Sequence, residues 1–153
     1  IGRATTTFIA QNKGAKNLQR MYEGLRTCVL LSLGITACTS IGMLHFGKEA
    51  FALFNPDPVV IAIGMKIISI TFPCYVMYVV LETLGGYLRG VGCSGPPMLI
   101  VTGNIGLLRA LLLGMIMSVW QDVRGVAVVY PITWMTASIC MYLYYRYHLK
   151  FHT

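Results

Sequence analysis

Acidic side chains are scarce in this sequence: Asp and Glu together number five in 153 residues, and all charged side chains make up 11%. A soluble domain of ordinary composition carries about a quarter charged residues. This chain therefore lacks the charge to coat a globule in water, and long stretches of it have none at all. The five cysteines (Cys28, Cys38, Cys74, Cys93, Cys140) contain no Cys-x-x-Cys pair. An odd count without metal-ligand spacing argues against a disulfide framework or a zinc site. The histidines, His45, His148 and His152, show no such spacing either and read as interfacial or tail residues. No Ser-His-Asp, Cys-His or paired-carboxylate arrangement is present, so the chain is read as a non-enzyme without a cofactor. No basic segment followed by a short apolar run marks a signal peptide. The chain opens on Ile1 with residues resembling the end of a helix already under way, and we expect it to be a fragment.

What the sequence does contain is apolar: 56% of residues are hydrophobic, and the mean hydropathy is +0.69. A hydrocarbon core of about 30 Å needs about 20 helical residues. Four segments reach that length, at about 27–46, 59–86, 97–120 and 125–145. Each far exceeds the roughly 10 residues of a membrane β-strand and none alternates. The expected fold is all-α, a polytopic bundle of four full spans plus the end of a preceding helix over residues 1 to 12. Short turns separate the spans: Asn55-Pro56-Asp57-Pro58, Gly92 to Pro97, and Gln121 to Gly125. Residues 13–26 read as a loop and amphipathic turn.

The net charge of +7 could suggest nucleic acid as a partner, but the basic residues form no single stripe. They lie between the apolar runs, as the positive-inside rule expects. Lys13, Lys16, Arg20, Arg26, Arg89, Arg146 and Lys150 fall on one side, and Lys48 and Arg124 on the other. The residue 13–26 segment, the second loop and the C-terminus are therefore expected in the cytoplasm. Tyr142, Tyr144, Tyr145 and Tyr147 would form an inner interfacial belt, with Trp120 at the outer interface.

Charges inside spanning segments cost about 2.5 to 3.5 kcal/mol each at the centre, so three stand out. Glu82 lies near the inner end of the second span, Lys66 nearer its outer end, and Arg109 near the middle of the third. Lys66 and Glu82 are about 24 Å apart along one helix and cannot pair. Glu82 has two readings: a protonatable or cation-binding group facing an aqueous cavity, or a structural carboxylate satisfied by backbone or a basic side chain. Arg109 is expected to pair with an acidic group or with helix carbonyls between spans, and Lys66 to snorkel outward. Pro73 and Pro131 each remove a helix hydrogen bond and mark kinks, a frequent device around transporter cavities. Gly106, Ala110 and Gly114 form a small-residue face suited to close packing. The nine methionines and mid-span Trp134 suit an adaptable binding surface, although lipid contact and ordinary packing explain most of them. Gly90-Val91-Gly92-Cys93-Ser94-Gly95 matches G-x-G-x-x-G literally, but a dinucleotide site needs a preceding strand and a helix directly after it. Here the glycines read as a tight turn between spans.

Several stretches together resemble the multidrug and toxic compound extrusion (MATE) family, part of a larger group that includes polysaccharide and lipid-precursor flippases. Thr6-Thr7-Phe8-Ile9-Ala10-Gln11-Asn12-Lys13-Gly14-Ala15-Lys16 is similar to the end of the family's eighth helix. Glu82 to Gly92, with Leu88-Arg89-Gly90-Val91-Gly92, is similar to the end of the tenth. Ser94 to Met98 and Tyr130 to Trp134 resemble the starts of helices eleven and twelve.

The resemblance implies a twelve-helix transporter of two six-helix lobes, of which this chain is most of the second. Its partners would be the lipid bilayer, the remaining N-terminal helices and small organic substrates. Its activity would be export by alternating access, coupled to Na⁺ or H⁺, in the plasma membrane, a bacterial cytoplasmic membrane. Some family members carry an acidic residue on the tenth helix one turn before Glu82, where this chain has Tyr78. Tyr78, Glu82, Arg109 and Trp134 are thus the candidate coupling or cavity residues. Two other functions remain open: a flippase for lipid-linked precursors, which would show intramembrane Arg or Lys in the first lobe, and a membrane scaffold without a gated cavity.

Overall fold

The computed structural model describes residues 2–152, with only the backbone for 151 and 152. Ile1, where the expected end of a preceding helix begins, and the His152 side chain lie outside the described residues. Every element among them is helical: α1 (Gly2–Gly14), α2 (Leu18–Phe54), α3 (Pro58–Gly90), α4 (Gly95–Val119) and α5 (Val123–His152). Helices α2 to α5 are all long and apolar enough to cross a membrane.

The helix ends follow from local chemistry. At the end of α1, Lys16 takes a positive φ of 55°. Asn17 N–H then bonds the Asn12 carbonyl at 3.0 Å and Lys16 N–H the Lys13 carbonyl at 3.0 Å, a Schellman turn. Asn17 at once caps α2, its side-chain oxygen accepting from Arg20 N–H. Asp57 caps α3 through Val59 N–H, with Pro58 in the first turn, a position where proline's missing N–H costs nothing. A second Schellman turn ends α3: Gly92 has φ 83°, Cys93 N–H bonds the Leu88 carbonyl and Gly92 N–H that of Arg89. The literal G-x-G-x-x-G is this turn.

Two segments differ from expectation. Residues 13–26, read as a loop, are helical from Leu18 onward, because the Asn17 cap starts α2 two turns before its apolar run. The third span contains a π-helical stretch, Thr102–Leu108, between α-helical ends. Pro73 sits in a 3₁₀ turn, Phe72–Cys74, that divides α3 into two α-helical parts. The helix α5 runs unbroken through Pro131.

The core lies near the Gly90 end of α3, where Ile9, Met21, Leu25, Leu84, Tyr87, Leu88 and Met141 meet. Glycines let the backbones approach there. A Cβ on Gly90 would stand 2.7 Å from Ile9 Cβ and 2.8 Å from the Thr6 carbonyl oxygen, and one on Gly86 2.8 Å from the Gly2 carbonyl oxygen. Toward the Pro58 end, Gly47 and Gly64 admit Met65 and Phe51 between α2 and α3. The expected small-residue face of α4 makes no such contact. Among the described residues nothing stands within 4 Å of a Cβ built at Gly106 or Gly114.

Gly90→Ala in the full-length protein is therefore expected to destabilise it by about 1–3 kcal/mol through overpacking. Gly103→Ala, where the space is open, is expected to leave stability unchanged or slightly raised. Thermal unfolding of the purified variants checks both, and equal melting points would refute the packing argument.

Candidate functional site

Below the 3₁₀ turn, α3 presents Tyr75 and Tyr78 to α5, which offers Tyr130, Thr133 and Trp134 at helical i, i+3, i+4 spacing. Tyr75 and Trp134 lie 4.9 Å apart between ring centroids, Tyr78 and Trp134 5.7 Å, and Tyr130 and Trp134 6.0 Å. Phe72 meets Tyr75 edge-on at 5.1 Å. Tyr75, Tyr130 and Trp134 also line a cavity of about 330 Å³ that extends toward Ile67 and Val126. The sequence-derived candidates Tyr78 and Trp134 are thus in direct contact, on two different helices.

Arg109 reaches this cluster from α4. Its Nε and Nη2 donate to Thr133 Oγ1 at 3.2 and 2.8 Å, and its Cζ lies 4.5 Å from the centre of the Tyr130 ring. The Thr133 hydroxyl is fully buried and in turn donates to the Tyr130 carbonyl at 3.0 Å. Arg109 was expected on an acidic group or on helix carbonyls. It instead bonds a hydroxyl and stacks on an aromatic face, an arrangement that suits a weakly hydrated, planar guanidinium.

Glu82 stands one turn beyond Tyr78 on the same helix. Its Oε2 is 3.7 Å from Nη2 of Arg89, and the Arg89 and Glu82 side chains are 36% and 40% exposed. The carboxylate helps line a recess of about 290 Å³ with Tyr78, Thr83, Ser32 and Thr36. Ser32 and Thr83 spend their hydroxyl protons on the carbonyls of Cys28 and Val79, which leaves their oxygen lone pairs available to a cation. Gly2 of α1 lies directly against the carboxylate, which would have to move aside for a side chain at that position. Among the described residues no group of three His, Cys, Asp or Glu could hold a metal ion, so any cation here would rest on one carboxylate and neutral oxygens.

The structure keeps Glu82 and Arg109 on separate partners. Lys66 is exposed nearer the Pro58 end of α3. Pro73 lies beside the aromatic cluster, and Pro131 directly follows Tyr130. Arg89, Thr133 and Tyr130 were not singled out by sequence reasoning as partners. A two-turn spacing of Glu82 and Arg89 over Gly85-Gly86 was a signal for the first pair. Nothing in the sequence pointed to the second, because it joins different helices.

Four helices long and apolar enough to cross a bilayer define a multi-pass membrane protein. The family model described as MatE matches residues 1–115, and the chain belongs to the MATE family. The probable multidrug resistance protein NorM of Thermotoga maritima is 28% identical over 109 residues, 71% of this chain and 24% of that protein. The uncharacterized transporter YisQ of Bacillus subtilis is 32% identical over 71 residues, 46% of this chain and 16% of that protein. The chain therefore spans less than a quarter of the length of either relative. No solved structure matches.

Arg109→Ala is expected to lower the yield of folded full-length protein, and Thr133→Val to do so by about 2 kcal/mol of lost charge-assisted hydrogen bonding. Monodispersity and melting temperature read this out. Normal yield with lost transport would contradict a structural role for Arg109.

Proposed function

We propose that this chain is part of an antiporter that exports small organic compounds by alternating access in exchange for Na⁺ or H⁺. The protein would lie in the plasma membrane with the Gly90 end of the bundle cytoplasmic, and would catalyse no covalent chemistry. Family membership supports transport. The relative named as a multidrug resistance protein supports drug-like substrates. The distribution of Lys and Arg supports the orientation.

The observation that carries the coupling is Glu82, a half-exposed carboxylate on a membrane-spanning helix, opening on a recess walled by hydroxyls. A carboxylate at such depth is costly unless neutralised. Binding a cation or a proton therefore changes what the surrounding helices must supply, and that differential is what lets an ion gradient bias one conformation over another. The 3₁₀ turn at Phe72–Cys74 provides a break in α3 about which its two parts can bend. The faces of Tyr75, Tyr78 and Trp134 suit flat or cationic organic molecules through stacking and cation–π attraction.

The test is efflux of a fluorescent organic cation by the full-length protein in proteoliposomes, under imposed Na⁺ or proton gradients. Gradient-driven efflux by the wild type, and its fall to the level of empty vesicles for Glu82→Gln at unchanged expression, is the expected result. Unchanged efflux rates for Glu82→Gln would sink the coupling role of this residue.

A further inference from the structure

Glu82 and Arg89 are seven residues apart, about 10.5 Å of helix rise, yet their charged atoms come within 3.7 Å. Side chains on a helix lean toward its N-terminus, so Glu82 leans away from Arg89 and the arginine must do the reaching. It does so across Gly85, its i−4 neighbour. A Cβ on Gly85 would stand 3.2 Å from Arg89 Nη1 and 3.5 Å from the Met141 methyl. The bare backbone of Gly85 is the bed in which the guanidinium lies.

The carboxylate also forms a shared wall between two spaces. One is the recess with Tyr78, Ser32 and Thr36. The other is a cleft of about 350 Å³ that contains Arg89 and runs past Ser94 and Met98 to Thr102. Arg89 thus approaches Glu82 from one space while the other stays open to a free cation. A single carboxylate within a bilayer balances one positive charge, and a second held beside it goes uncompensated.

We infer that Arg89 is a tethered cation that occupies Glu82 when no free cation is bound, laid over Gly85, and displaced into the Ser94 cleft when one binds. Arg89 is then a positioning residue for ion coupling. The exchange rests on the antiport reading above; the pairing of Arg89 with Glu82 does not.

Modification of the full-length protein in liposomes with phenylglyoxal tests this, with the Arg89 rate measured by peptide mass spectrometry relative to exposed Arg20. Breaking a partly exposed ion pair is expected to raise the Arg89 rate about threefold to fivefold. That rise should appear in Glu82→Gln, and also in Gly85→Val, which changes no charge, while Glu82→Asp should stay close to wild type. In the wild type, the cation that drives transport should raise the same ratio. Equal ratios in wild type, Glu82→Gln and Gly85→Val would overturn the pairing. A coupling cation that leaves the ratio unchanged would overturn the exchange. Protection of Arg89 by Glu82 in a protein that shows no cation-driven efflux would reject the antiport reading, and the exchange with it, while leaving the pair intact.

Discussion

A backbone amide in the hydrocarbon of a bilayer has no water to bond, so each spanning segment must close its own hydrogen-bond ladder. The same constraint reaches the side chains. The hydroxyls of Thr6, Ser32, Thr71, Thr83 and Thr136 each donate to the carbonyl four residues earlier. Neighbouring helices also donate to carbonyls of α3. Ser40 of α2 donates to the Phe72 carbonyl at the proline turn, and Ser138 of α5 donates to the Met77 carbonyl at 2.6 Å. Schellman turns end α1 and α3, and Asn17 and Asp57 cap α2 and α3, which satisfies amides and carbonyls that those helix ends free.

With the backbone satisfied, apolar side chains gain little by leaving lipid for one another, and helices associate through close packing instead. That is why glycines mark the closest backbone approaches here. Gly86 and Gly90 seat α1 against α3, Gly24 admits Phe8 between α1 and α2, and Gly47 and Gly64 join α2 to α3. Helix α4 buries little beyond Pro97, and its close glycine contact is made from α5, where a Cβ on Gly125 would stand 2.8 Å from the Ile116 side chain. Its link to the bundle leans on Arg109, whose bonds to Thr133 and stacking on Tyr130 tie it to α5.

The spans were legible because a run of 20 apolar residues has one physical explanation in a bilayer, and the turns because proline and glycine punctuate them. The first span ran longer than its apolar stretch for a reason hydropathy does not register: the Asn17 cap nucleates helix in a polar segment. The π stretch at Thr102–Leu108 carries no proline to announce it. Small-residue spacing alone favoured Gly106 and Gly114, yet the glycines in close contact are Gly86 and Gly90, since spacing shows that a face is smooth but not what lies against it. Of the candidate site, the residues were legible as charges and aromatics in the wrong solvent. Their partners were legible only within one helix, where periodicity fixes proximity, and not between helices.

The two intramembrane charges near the site differ in how their partners are attached. Glu82 and Arg89 ride on the same helix, so helices can move apart without breaking the pair. Arg109 and Thr133 sit on different helices, so any separation of α4 from α5 breaks their bonds and strands a guanidinium in a place where water cannot replace them. An interaction confined to one rigid element answers to ligands, whereas one that spans two elements resists their movement. Under the proposed antiport, the first would serve ion coupling, while the second holds α4 to α5.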